Sequence, residues 1–520
     1  MNADSPYDLL VVGGGINGVG IARDAAGRGL RVLLCEQDDL ASHTSSASTK
    51  LIHGGLRYLE YYEFGLVRKA LRERELLLRA APHLISPLRF VMPHVPHLRP
   101  AWMIRAGLFL YDHLSRRELL PASSGVNLRT HAVGVPLQKS MTRGFLYSDA
   151  WVDDARLVVA NAQDARERGA VILTRTRLES AQRSGGLWQA SLRSTGGDTA
   201  GALQQVQARA LVNAAGPWVA QVLHEQLGQT QEHSLRLIKG SHLVVKKMFE
   251  HDHAYIFQNP DGRIIFAIPY QEQFTLIGTT DLEYHGDPAA VRIDAAEVAY
   301  LCKSVNRYFL QSISPADVVA SYSGVRPLLD QGAGDDPSAV TRDYHLELSH
   351  VPQQAALLTV FGGKITTYRR LAEEALDLLG VPLACAEPAW TAHATLPGGD
   401  IPAADFAAFS RQFQTRFPWL PAALALRYAR SYGTRAELLI GARTSVAELG
   451  IQFCSDLHEA EVMYLQEYEW AVTADDILWR RTKLGLHATP DQQSELAVYL
   501  ARAPAHIIKP GDDDAQGNVR

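Results

Sequence analysis

Apolar and polar positions along the chain predict strands and helices in alternation for most of its length. The apolar run from Leu9 to Val12 predicts a buried parallel strand, and the small residues after it open into an alanine-rich helix. A second strand is predicted from Arg31 to Cys35, a helix from Arg156 to Arg168 and a further strand from Ala170 to Thr174. This alternation continues to about residue 385 and indicates an α/β fold.

Later segments depart from that alternation. Residues 185–207 predict a meander. An alternation of apolar and polar residues that predicts an antiparallel sheet follows in the segments SHLVVKK, AYIFQ, RIIFAIPY and FTLIGTTDLEY. Such a sheet commonly covers a substrate pocket. Beyond a linker at residues 396–405 the chain is predicted to be mostly helical. We therefore expect a helical cap at residues 389–520 and a body at residues 1–388, in which cofactor segments (near 7–60, 150–220 and 355–380) interleave with substrate segments (near 61–149 and 221–354).

Bulk properties narrow the class of protein. At 520 residues the chain is too long for one compact core, and its formal net charge of -5 argues against a general nucleic-acid binder. Its four cysteines, at 35, 302, 385 and 454, are widely spaced and suit buried thiols in a reducing compartment. The first eight residues show no signal-peptide pattern, and no apolar run reaches the ~18 residues of a membrane span. We expect a cytoplasmic protein.

The first thirty-six residues hold the most informative motif, DLLVVGGGINGVG followed by Glu36. In this pattern Gly13 permits a tight turn, Gly15 lets the backbone approach a pyrophosphate, and Gly18 lets the helix pack closely on the strand. The helix N-terminus offers free N–H groups to phosphates, and Glu36 ends the second strand, where a carboxylate meets a ribose hydroxyl. The motif predicts an adenine dinucleotide site; the alternative is a glycine-rich turn in an ordinary α/β unit.

Two later segments also end strands in small residues, Asn213 to Pro217 and Gly362 to Lys364. Because the carboxyl ends of strands in a doubly wound sheet converge on one crevice, they predict a long cofactor lying extended across the sheet. The segment from Ser42 to Glu60 adds hydroxyl donors for phosphate or ribitol oxygens, and Gly54 and Gly55 allow close approach to a flat ring.

Charged side chains follow those glycines. Arg57 and Tyr58 place a guanidinium and a phenol near the ring, and arginine suits a phosphate because its planar fork binds two oxygens at once. Alternatively, Arg57 makes a structural ion pair. Lys50 and His53 either contact the cofactor or merely order the loop.

Long motifs in one order carry a resemblance to a known family. They are GGGINGVGIARDAAGRGL, TSSASTKLIHGGLRYLEYYEFGLV, PHVPHLRPAWMIRAGLFLYDHL, YSDAWVDDARLV, LVNAAGPWV, IKGSHLVV, IGTTDLEY, YSGVRPL, VFGGKITTYRRLAE and DDILWRRTK. Over nearly the whole chain the sequence resembles the FAD-dependent glycerol-3-phosphate dehydrogenases of the respiratory, quinone-linked type. The resemblance implies a glutathione-reductase-like FAD-binding Rossmann domain, an antiparallel-sheet substrate domain and a C-terminal helical cap.

The resemblance also implies an activity. It is the oxidation of sn-glycerol 3-phosphate to dihydroxyacetone phosphate, by hydride transfer from C2 to FAD, with electrons passed to ubiquinone or menaquinone in glycerol and glycerophospholipid catabolism. It implies substrate contacts at Arg57, Tyr58, Thr279 and Arg326, and catalytic roles for His242, Arg326 and Lys364. It implies no metal, and FAD contacts at Gly13, Gly15, Gly18, Glu36, Thr44, Ser45, Ser46, Lys50, Leu51, Gly54, Gly55, Ala215, Gly216, Gly363, Lys364 and Thr366.

The oxidation of an alcohol by hydride transfer itself requires similar residue types. While hydride leaves C2, the C2 hydroxyl must lose a proton, so a base or a cationic environment for the forming alkoxide is needed. His242 has a side chain whose ordinary pKa, about 6.5, suits a base; the alternative is a satisfied histidine within a sheet. Arg326 and Lys364 would stabilise the alkoxide electrostatically.

Two further segments leave alternatives open. The stretch from Pro96 to Leu119 has an apolar block, Trp102 to Tyr111, between arginines; it predicts either a helix lying in the headgroup region of a membrane or a buried core helix. With a quinone partner in view we favour peripheral contact with the inner face of the cytoplasmic membrane. The stretch from Asp475 to Leu486 either closes over the site, forms a dimer contact or, as favoured for a lone motif, is a solvated helix face. We expect a homodimer.

Rival functions share parts of this pattern. A glycerol-3-phosphate oxidase would pass the electrons to oxygen, and an amine oxidase of the glycine or sarcosine type would need a carboxylate site in place of a phosphate clamp. A flavin-binding regulatory protein would show no turnover. NAD dependence is disfavoured because a soluble nicotinamide enzyme has no need of the Ser42 to Tyr58 loop or the Gly362 turn.

Overall fold

The structure is a computed structural model that describes residues 5–95, 99–229, 235–329 and 343–502. The first residues of the Pro96 to Leu119 stretch and the last eighteen residues of the expected cap, 503–520, lie outside the described residues.

The strands run in chain order as β1 (Tyr7–Val12), β2 (Val32–Cys35), β3 (Leu51–Ile52), β4 (Ile85–Pro93), β5 (Ser124–Asn127), β6 (Arg143–Val152), β7 (Val171–Leu173), β8 (Thr176–Ser184), β9 (Leu187–Ser194), β10 (Leu203–Asn213), β11 (Leu235–Lys246), β12 (Ala254–Gln258), β13 (Ile264–Tyr270), β14 (Phe274–Gly278), β15 (Leu282–Glu283), β16 (Val318–Leu329), β17 (His345–Ser349), β18 (Ala356–Phe361), β19 (Gln452–Cys454) and β20 (Leu457–His458). The helices are α1 (Ile16–Gly27), α2 (Phe64–Ala80), α3 (Ala101–His113), α4 (Asp154–Glu167), α5 (Val219–Gln221), α6 (Ala295–Asn306), α7 (Tyr368–Leu383), α8 (Phe406–Arg416), α9 (Ala422–Tyr432), α10 (Ala436–Ile440), α11 (Glu459–Glu469) and α12 (Pro490–Arg502).

The first sheet has parallel strands in the order β18-β10-β1-β2-β7, with β17 antiparallel at one edge. Strands buried on both faces must be apolar throughout, as VLLC and LLVV are. Leu9 and Val11 pack against α1, α4 and α7, whereas Leu10 and Val12 face the meander of β8, β9 and β10. The predicted α/β fold and meander are confirmed, and β1, β10 and β18 end at the same edge.

The second sheet is mostly antiparallel, in the order β15-β11-β14-β13-β12-β4-β6-β3, and β16 pairs with β11 along its length. Its β11 to β14 are the strands that the alternating segments predict. The sequence patterns did not identify β4 and β6, although β6 joins β4, β5 and β3 into this sheet. The short β3 belongs to the second sheet, so the chain passes from the first sheet into the second through the loop after β2.

The C-terminal part of the described chain is mostly helical, as predicted. Helices α8 to α12 and the β19–β20 hairpin surround a separate apolar core that includes Tyr428, Tyr432 and Leu465. This part meets the body through buried charges: Arg156 of α4 donates to both carboxylate oxygens of Glu469, at 2.5 and 2.8 Å.

One prediction for this region is wrong. The stretch from Asp475 to Leu486 is not a solvated helix face, because Asp476, Arg481 and Lys483 are buried. Arg481 donates to Asp39 in the loop after β2, and Lys483 donates to Asp153. These polar side chains are buried by contact with residues distant in the chain, and the local sequence pattern cannot show such burial.

Glycines allow the strands and α1 to approach closely at the edge where β1 ends. Gly13 has φ +113°, and a Cβ there would lie 2.5 Å from the carbonyl oxygen of Ala214. A Cβ on Gly18 would lie only 1.9 Å from the carbonyl oxygen of Gly13. Both positions therefore exclude any side chain, as the motif predicts.

We expect Gly18→Ala to lower the free energy of unfolding by about 1–3 kcal/mol, because the methyl group pushes α1 away from β1. Gly107→Ala is the matched control, since its Cβ would meet no atom within 4 Å in the middle of α3. That change should raise stability by up to about 1 kcal/mol. Denaturant titration measures both, and equal effects of the two substitutions would contradict the close approach.

Candidate functional site

A long cavity lies where β1, β2 and β10 end. It has a volume of about 600 Å³ and is bounded by the glycine turn after β1, the loop after β2 and the turn after β10. An adjoining cavity of about 390 Å³ shares His43, Thr44 and Trp218 with it and continues towards Tyr322 and Gly324 on β16. We call the first the nucleotide cavity. The two together suit a long, extended molecule.

The turns that bound this cavity fit the pyrophosphate and flavin parts of FAD. Gly15 lines the cavity and immediately precedes the first turn of α1, so the N-terminus of this helix, the end that favours phosphate groups, faces the cavity. Gly216 has φ +55° and an open space where a Cβ would stand. Gly363 has φ +102°, and a Cβ there would collide with Asn17, whose side chain donates to the carbonyl of Gly362 at 3.1 Å. The residues present therefore form a cradle that side chains would fill.

Glu36 stands at the end of β2, on the wall of the nucleotide cavity. Its carboxylate accepts hydrogen bonds from the backbone N–H groups of Gly14, at 2.6 Å, and Asp38, at 2.9 Å. Burial raises the pKa of Glu36, and these two donors oppose that shift. The carboxylate is thus held in place beside the cavity, as a ribose contact requires.

The loop after β2 carries the predicted hydroxyl groups. Ser45 accepts from the backbone N–H of Ile16 at 3.0 Å, and Thr44 donates to the carbonyl of Val325 at 2.7 Å. Ser46 lines the adjoining cavity. Lys50 is buried and donates to both oxygens of Asp154, at 2.8 and 2.9 Å, so the structure places its ammonium in an internal ion pair that orders the loop.

A second, smaller cavity of about 110 Å³ lies beside β3 and the turn that follows it. We call it the arginine pocket. The structure brings all four predicted substrate contacts, Arg57, Tyr58, Thr279 and Arg326, to its wall. Among the other lining residues are the predicted Leu51 and Gly55, and also His53, Asp149, Arg263 and Phe266.

Cations dominate the polar part of the arginine pocket. Arg326 donates to Asp281 at 2.7 Å, and Arg57 donates to the hydroxyl of Tyr61 at 3.3 Å. The Lys364 ammonium lies 4.1 Å from the centre of the Tyr58 ring. The pocket wall carries three arginines, Arg57, Arg263 and Arg326, and two carboxylates, Asp149 and Asp281. This excess of cations favours an anionic ligand with several oxygens.

His53 directly follows β3. Its backbone N–H donates to Thr366 at 3.2 Å, which ties β3 to the turn after β18. His53 also lines the arginine pocket, where it lies among the predicted substrate contacts. The sequence left His53 as either a contact or an ordering residue, and the structure places it at the pocket.

His242 lies within the second sheet and is not among the residues that line either cavity. Its Nε2 is 2.9 Å from the hydroxyl of Thr49, and its Nδ1 is buried without a hydrogen-bond partner among the described residues. Burial, and the nearby cations Lys50 and Arg326, lower the pKa of His242 to about 3. The imidazole is therefore neutral near pH 7 and a weak base, which favours the alternative of a histidine packed in a sheet.

A buried network that the sequence did not indicate supports the glycines before Arg57. The backbone N–H of Gly54 donates to the Tyr111 hydroxyl at 2.8 Å, and that hydroxyl donates to Asp149 at 2.7 Å. Arg74 donates to the same carboxylate at 2.7 Å. Asp149 also lines the arginine pocket. Only contact between α2, α3 and β6 assembles this group, so no local motif could have revealed it.

Helix α3 presents an apolar outer surface. Trp102 is 70% exposed and Phe109 is 58% exposed, with Met103 and Leu110 beside them, while Leu108 and Tyr111 are buried against the second sheet. The buried-core alternative for this segment therefore fails on its outer side. Among the helices that the structure describes, each is too short or too polar to cross a lipid bilayer. Within the same residues, no cluster of side chains could hold a metal ion.

Comparison with known proteins relates this chain to one family. Residues 8–369 match the FAD dependent oxidoreductase family, and residues 389–502 match the C-terminal domain of alpha-glycerophosphate oxidase. The glycerol-3-phosphate dehydrogenase of Pseudomonas aeruginosa is 57% identical over 500 residues, covering 96% of each chain. The aerobic glycerol-3-phosphate dehydrogenase of Escherichia coli K12 is 52% identical, covering 95% of this chain and 97% of the relative.

Two further comparisons bear on substrate and cofactor. The D-erythritol 1-phosphate dehydrogenase of Brucella abortus is 51% identical, covering 95% of this chain and 98% of the relative. The crystal structure of a Bacillus halodurans glycerol-3-phosphate dehydrogenase complexed with FAD matches with a TM-score of 0.76 and 27% identity, covering 98% of this chain and 96% of that chain. The predicted three-part fold and the FAD cofactor are confirmed; the roles of individual site residues stay predictions.

The lowered pKa of His242 gives a pH dependence of stability. An unfolded histidine binds a proton below about pH 6.5, whereas the folded His242 binds one only near pH 3, so the unfolded state holds more protons in between. Stability from this group is complete above about pH 6.5 and is lost as the pH falls through that window.

We expect His242→Asn to reduce the slope of unfolding free energy against pH by up to about 1.4 kcal/mol per pH unit between about pH 4 and 6. Burial also lowers the pKa of His83 to about 3, so His83→Asn should change the slope in the same direction. Denaturant titrations at several pH values give the slopes. Parallel curves for wild type and His242→Asn would contradict a neutral buried imidazole.

Proposed function

We propose that this chain, which belongs to the FAD-dependent glycerol-3-phosphate dehydrogenases, oxidises sn-glycerol 3-phosphate to dihydroxyacetone phosphate and passes the electrons to a membrane quinone. The observation that carries the substrate assignment is the arginine pocket. It gathers Arg57, Arg326 and Thr279 in a cavity of about 110 Å³ beside the glycines that would face the flavin.

The pocket suits a small phosphate ester better than the amino acids that related oxidases take. A phosphate carries about two negative charges near pH 7 and several acceptor oxygens, and guanidinium groups bind such a group through paired N–H donors. Phe90, Tyr147 and Phe266 close the rest of the pocket with apolar surface. That surface excludes water from the carbon atoms of the substrate and strengthens the charge interactions inside.

FAD, when bound, supplies the acceptor for the hydride that leaves C2. The protein must then take the proton of the C2 hydroxyl. We assign this role to His53, because it lines the arginine pocket, whereas His242 lies outside it and has a pKa lowered to about 3. Arg326 and Lys364 would hold the negative charge that develops on the hydroxyl oxygen, Lys364 from its position against the Tyr58 ring.

One similar protein acts on a different polyol phosphate, which makes that compound a second candidate substrate. The similarity to D-erythritol 1-phosphate dehydrogenase is nearly as high as that to glycerol-3-phosphate dehydrogenases. Both substrates are polyol phosphates, so the phosphate clamp serves either, and the remaining volume of the pocket decides between them. The small volume favours the three-carbon substrate.

We expect anaerobic addition of glycerol 3-phosphate to bleach the flavin absorbance of the purified protein, faster than D-erythritol 1-phosphate does.

His53→Asn should lower kcat by about 10²- to 10⁴-fold, the usual contribution of a general base, with flavin content unchanged. His242→Asn is the matched control and should lower kcat by less than about tenfold. Arg57→Ala should raise KM far more than it lowers kcat, since it binds the phosphate in substrate and transition state alike. A His53→Asn enzyme with normal kcat would remove His53 from the chemistry.

The quinone and membrane parts of the proposal rest on α3. Its exposed Trp102, Met103, Phe109 and Leu110 form an apolar face, and Tyr62 before α2 and Phe64 at its start are exposed as well. Arg105 interrupts the apolar block within α3, and Arg99, Arg116 and Arg117 flank it. Aromatic and aliphatic residues with basic neighbours suit the headgroup region of an anionic bilayer, from which a quinone is drawn. We propose peripheral attachment to the inner surface of the cytoplasmic membrane.

We expect the protein to sediment with anionic liposomes. Trp102→Glu and Phe109→Glu should each weaken that binding by about tenfold or more, because each removes an exposed aromatic side chain that the bilayer would bury. Leu203→Glu is the control: Leu203 is exposed on β10, away from α3, and its substitution should leave binding unchanged. Leu108 is unsuitable for this test because it is fully buried.

The electron acceptor is tested with the same preparations. Under nitrogen, glycerol 3-phosphate should reduce a soluble quinone analogue, and in air peroxide should form much more slowly. Peroxide release as fast as quinone reduction would favour the oxidase instead. Equal liposome binding by Phe109→Glu and wild type would contradict attachment through α3.

A further inference from the structure

The loop after β2, residues 36–46, forms one wall of the nucleotide cavity. Glu36, Ser42 and Ser45 line that cavity. On its inner side the loop is held by two hydrogen bonds from residues around the start of α1: the Gly14 N–H donates to Glu36 and the Ile16 N–H donates to Ser45. Any movement of this loop therefore changes the shape of the site that would hold the adenosine part of FAD.

The outer side of the same loop is held by the C-terminal part of the chain. Asp39 is buried and accepts two N–H groups of Arg481, at 2.6 and 2.8 Å, and the Nε–H of Arg480 at 2.6 Å. Arg481 is fully buried and also donates to the carbonyl of Glu469. The carboxylate thus has both its oxygens occupied by residues that lie more than four hundred positions later in the chain.

A second tether reinforces the first. The backbone N–H of Arg175 donates to the carbonyl of Asp38 at 2.7 Å, while its side chain donates to Asp476 at 2.5 Å. Burial opposes ionisation of Asp476, but Arg481, Arg175 and Arg480 together keep its pKa well below the ordinary value. The loop is therefore joined to the C-terminal part by a chain of alternating charges.

These charges are complementary only while the two parts are docked. If the C-terminal part moved away, Asp39 and Arg481 would each lose the partner that makes a buried charge tolerable. The loop would then relax towards water, and Glu36 and Ser45 would move with it. Two events that stabilise the same loop conformation, docking of the C-terminal part and binding of the nucleotide, must favour each other by equal free energies.

We propose that Asp39, Arg480 and Arg481 form a latch through which the C-terminal part of the chain sets how tightly the protein retains FAD. The three residues lie outside both cavities and act by positioning the loop. The proposal rests on the FAD cofactor alone and does not depend on the substrate or the electron acceptor.

The test measures release of FAD from the purified holoenzyme, followed by the rise in flavin fluorescence after dilution. Arg481→Met and Asp39→Asn should each speed release by about fivefold or more, the lower end of usual coupling between sites. The double variant should release FAD no faster than the single variants, because both remove the same link. Arg480→Met, which leaves the Arg481 pair in place, serves if either single variant fails to fold.

The matched control is Arg427→Met. Arg427 donates to both oxygens of Glu461 within the C-terminal part, so its loss removes an ion pair there without contact to the loop. It should lower the melting temperature and leave FAD release unchanged. If Arg427→Met speeds release as much as Arg481→Met, general loosening of the C-terminal part explains the effect and the latch is wrong.

Hydrogen exchange gives a readout in the opposite direction. Bound FAD should slow amide exchange at residues 476–486 in the wild type, and this protection should disappear in Asp39→Asn. Release rates in Asp39→Asn equal to those in the wild type, or effects of the two substitutions that multiply in the double variant, would overturn the latch. A wild-type protein purified without flavin would overturn the cofactor assignment instead, which keeps the two failures apart.

Discussion

The close approach of three parallel strands at one edge of the first sheet is the constraint on which the site depends. β1, β10 and β18 end side by side, and the backbone N–H of Ala214 donates to the carbonyl of Val12 across the seam. Side chains at Gly13 or Gly18 would force these elements apart. Because the turns after the strands carry almost no side-chain volume, the space left above them is a long cavity whose walls offer backbone donors.

Charge is distributed very differently on the two sides of the second sheet. On the pocket side, Arg57 and Arg326 line the cavity and remain partly accessible to a ligand, and Lys364 lies against the ring of Tyr58 in the cavity wall. Inside the sheet, burial lowers the pKa of His242 most and the nearby cations Lys50 and Arg326 lower it further, so the imidazole is neutral near pH 7. Arg326 therefore contributes both to the charge that suits an anion in the pocket and to the lowered pKa of the nearby histidine.

Buried ion pairs join the body to the C-terminal part, which also adds Leu396 and Trp470 to the apolar core of the body. Each part has its own apolar core, and Arg156–Glu469, Arg481–Asp39 and Lys483–Asp153 join them. Such pairs add little stability compared with apolar packing. They do require one relative placement of the two side chains, because a displaced partner leaves a buried charge uncompensated. This interface therefore fixes one relative position of the loop after β2.

The sequence by itself determined the elements whose signal is local. The apolar run of β1, the glycines at 13, 15 and 18 and the acid at the end of β2 identify the nucleotide cavity, because each feature has a steric or hydrogen-bonding reason at a fixed spacing. Only the tertiary structure decided which polar groups share a cavity. It placed His53 in the arginine pocket and His242 outside it, and it paired Lys50 with Asp154. It also buried Arg481 against Asp39 and joined Tyr111, Asp149 and Gly54. These contacts link residues far apart in the chain, and burial, which makes each polar group costly to leave without a partner, has no local signature in the sequence.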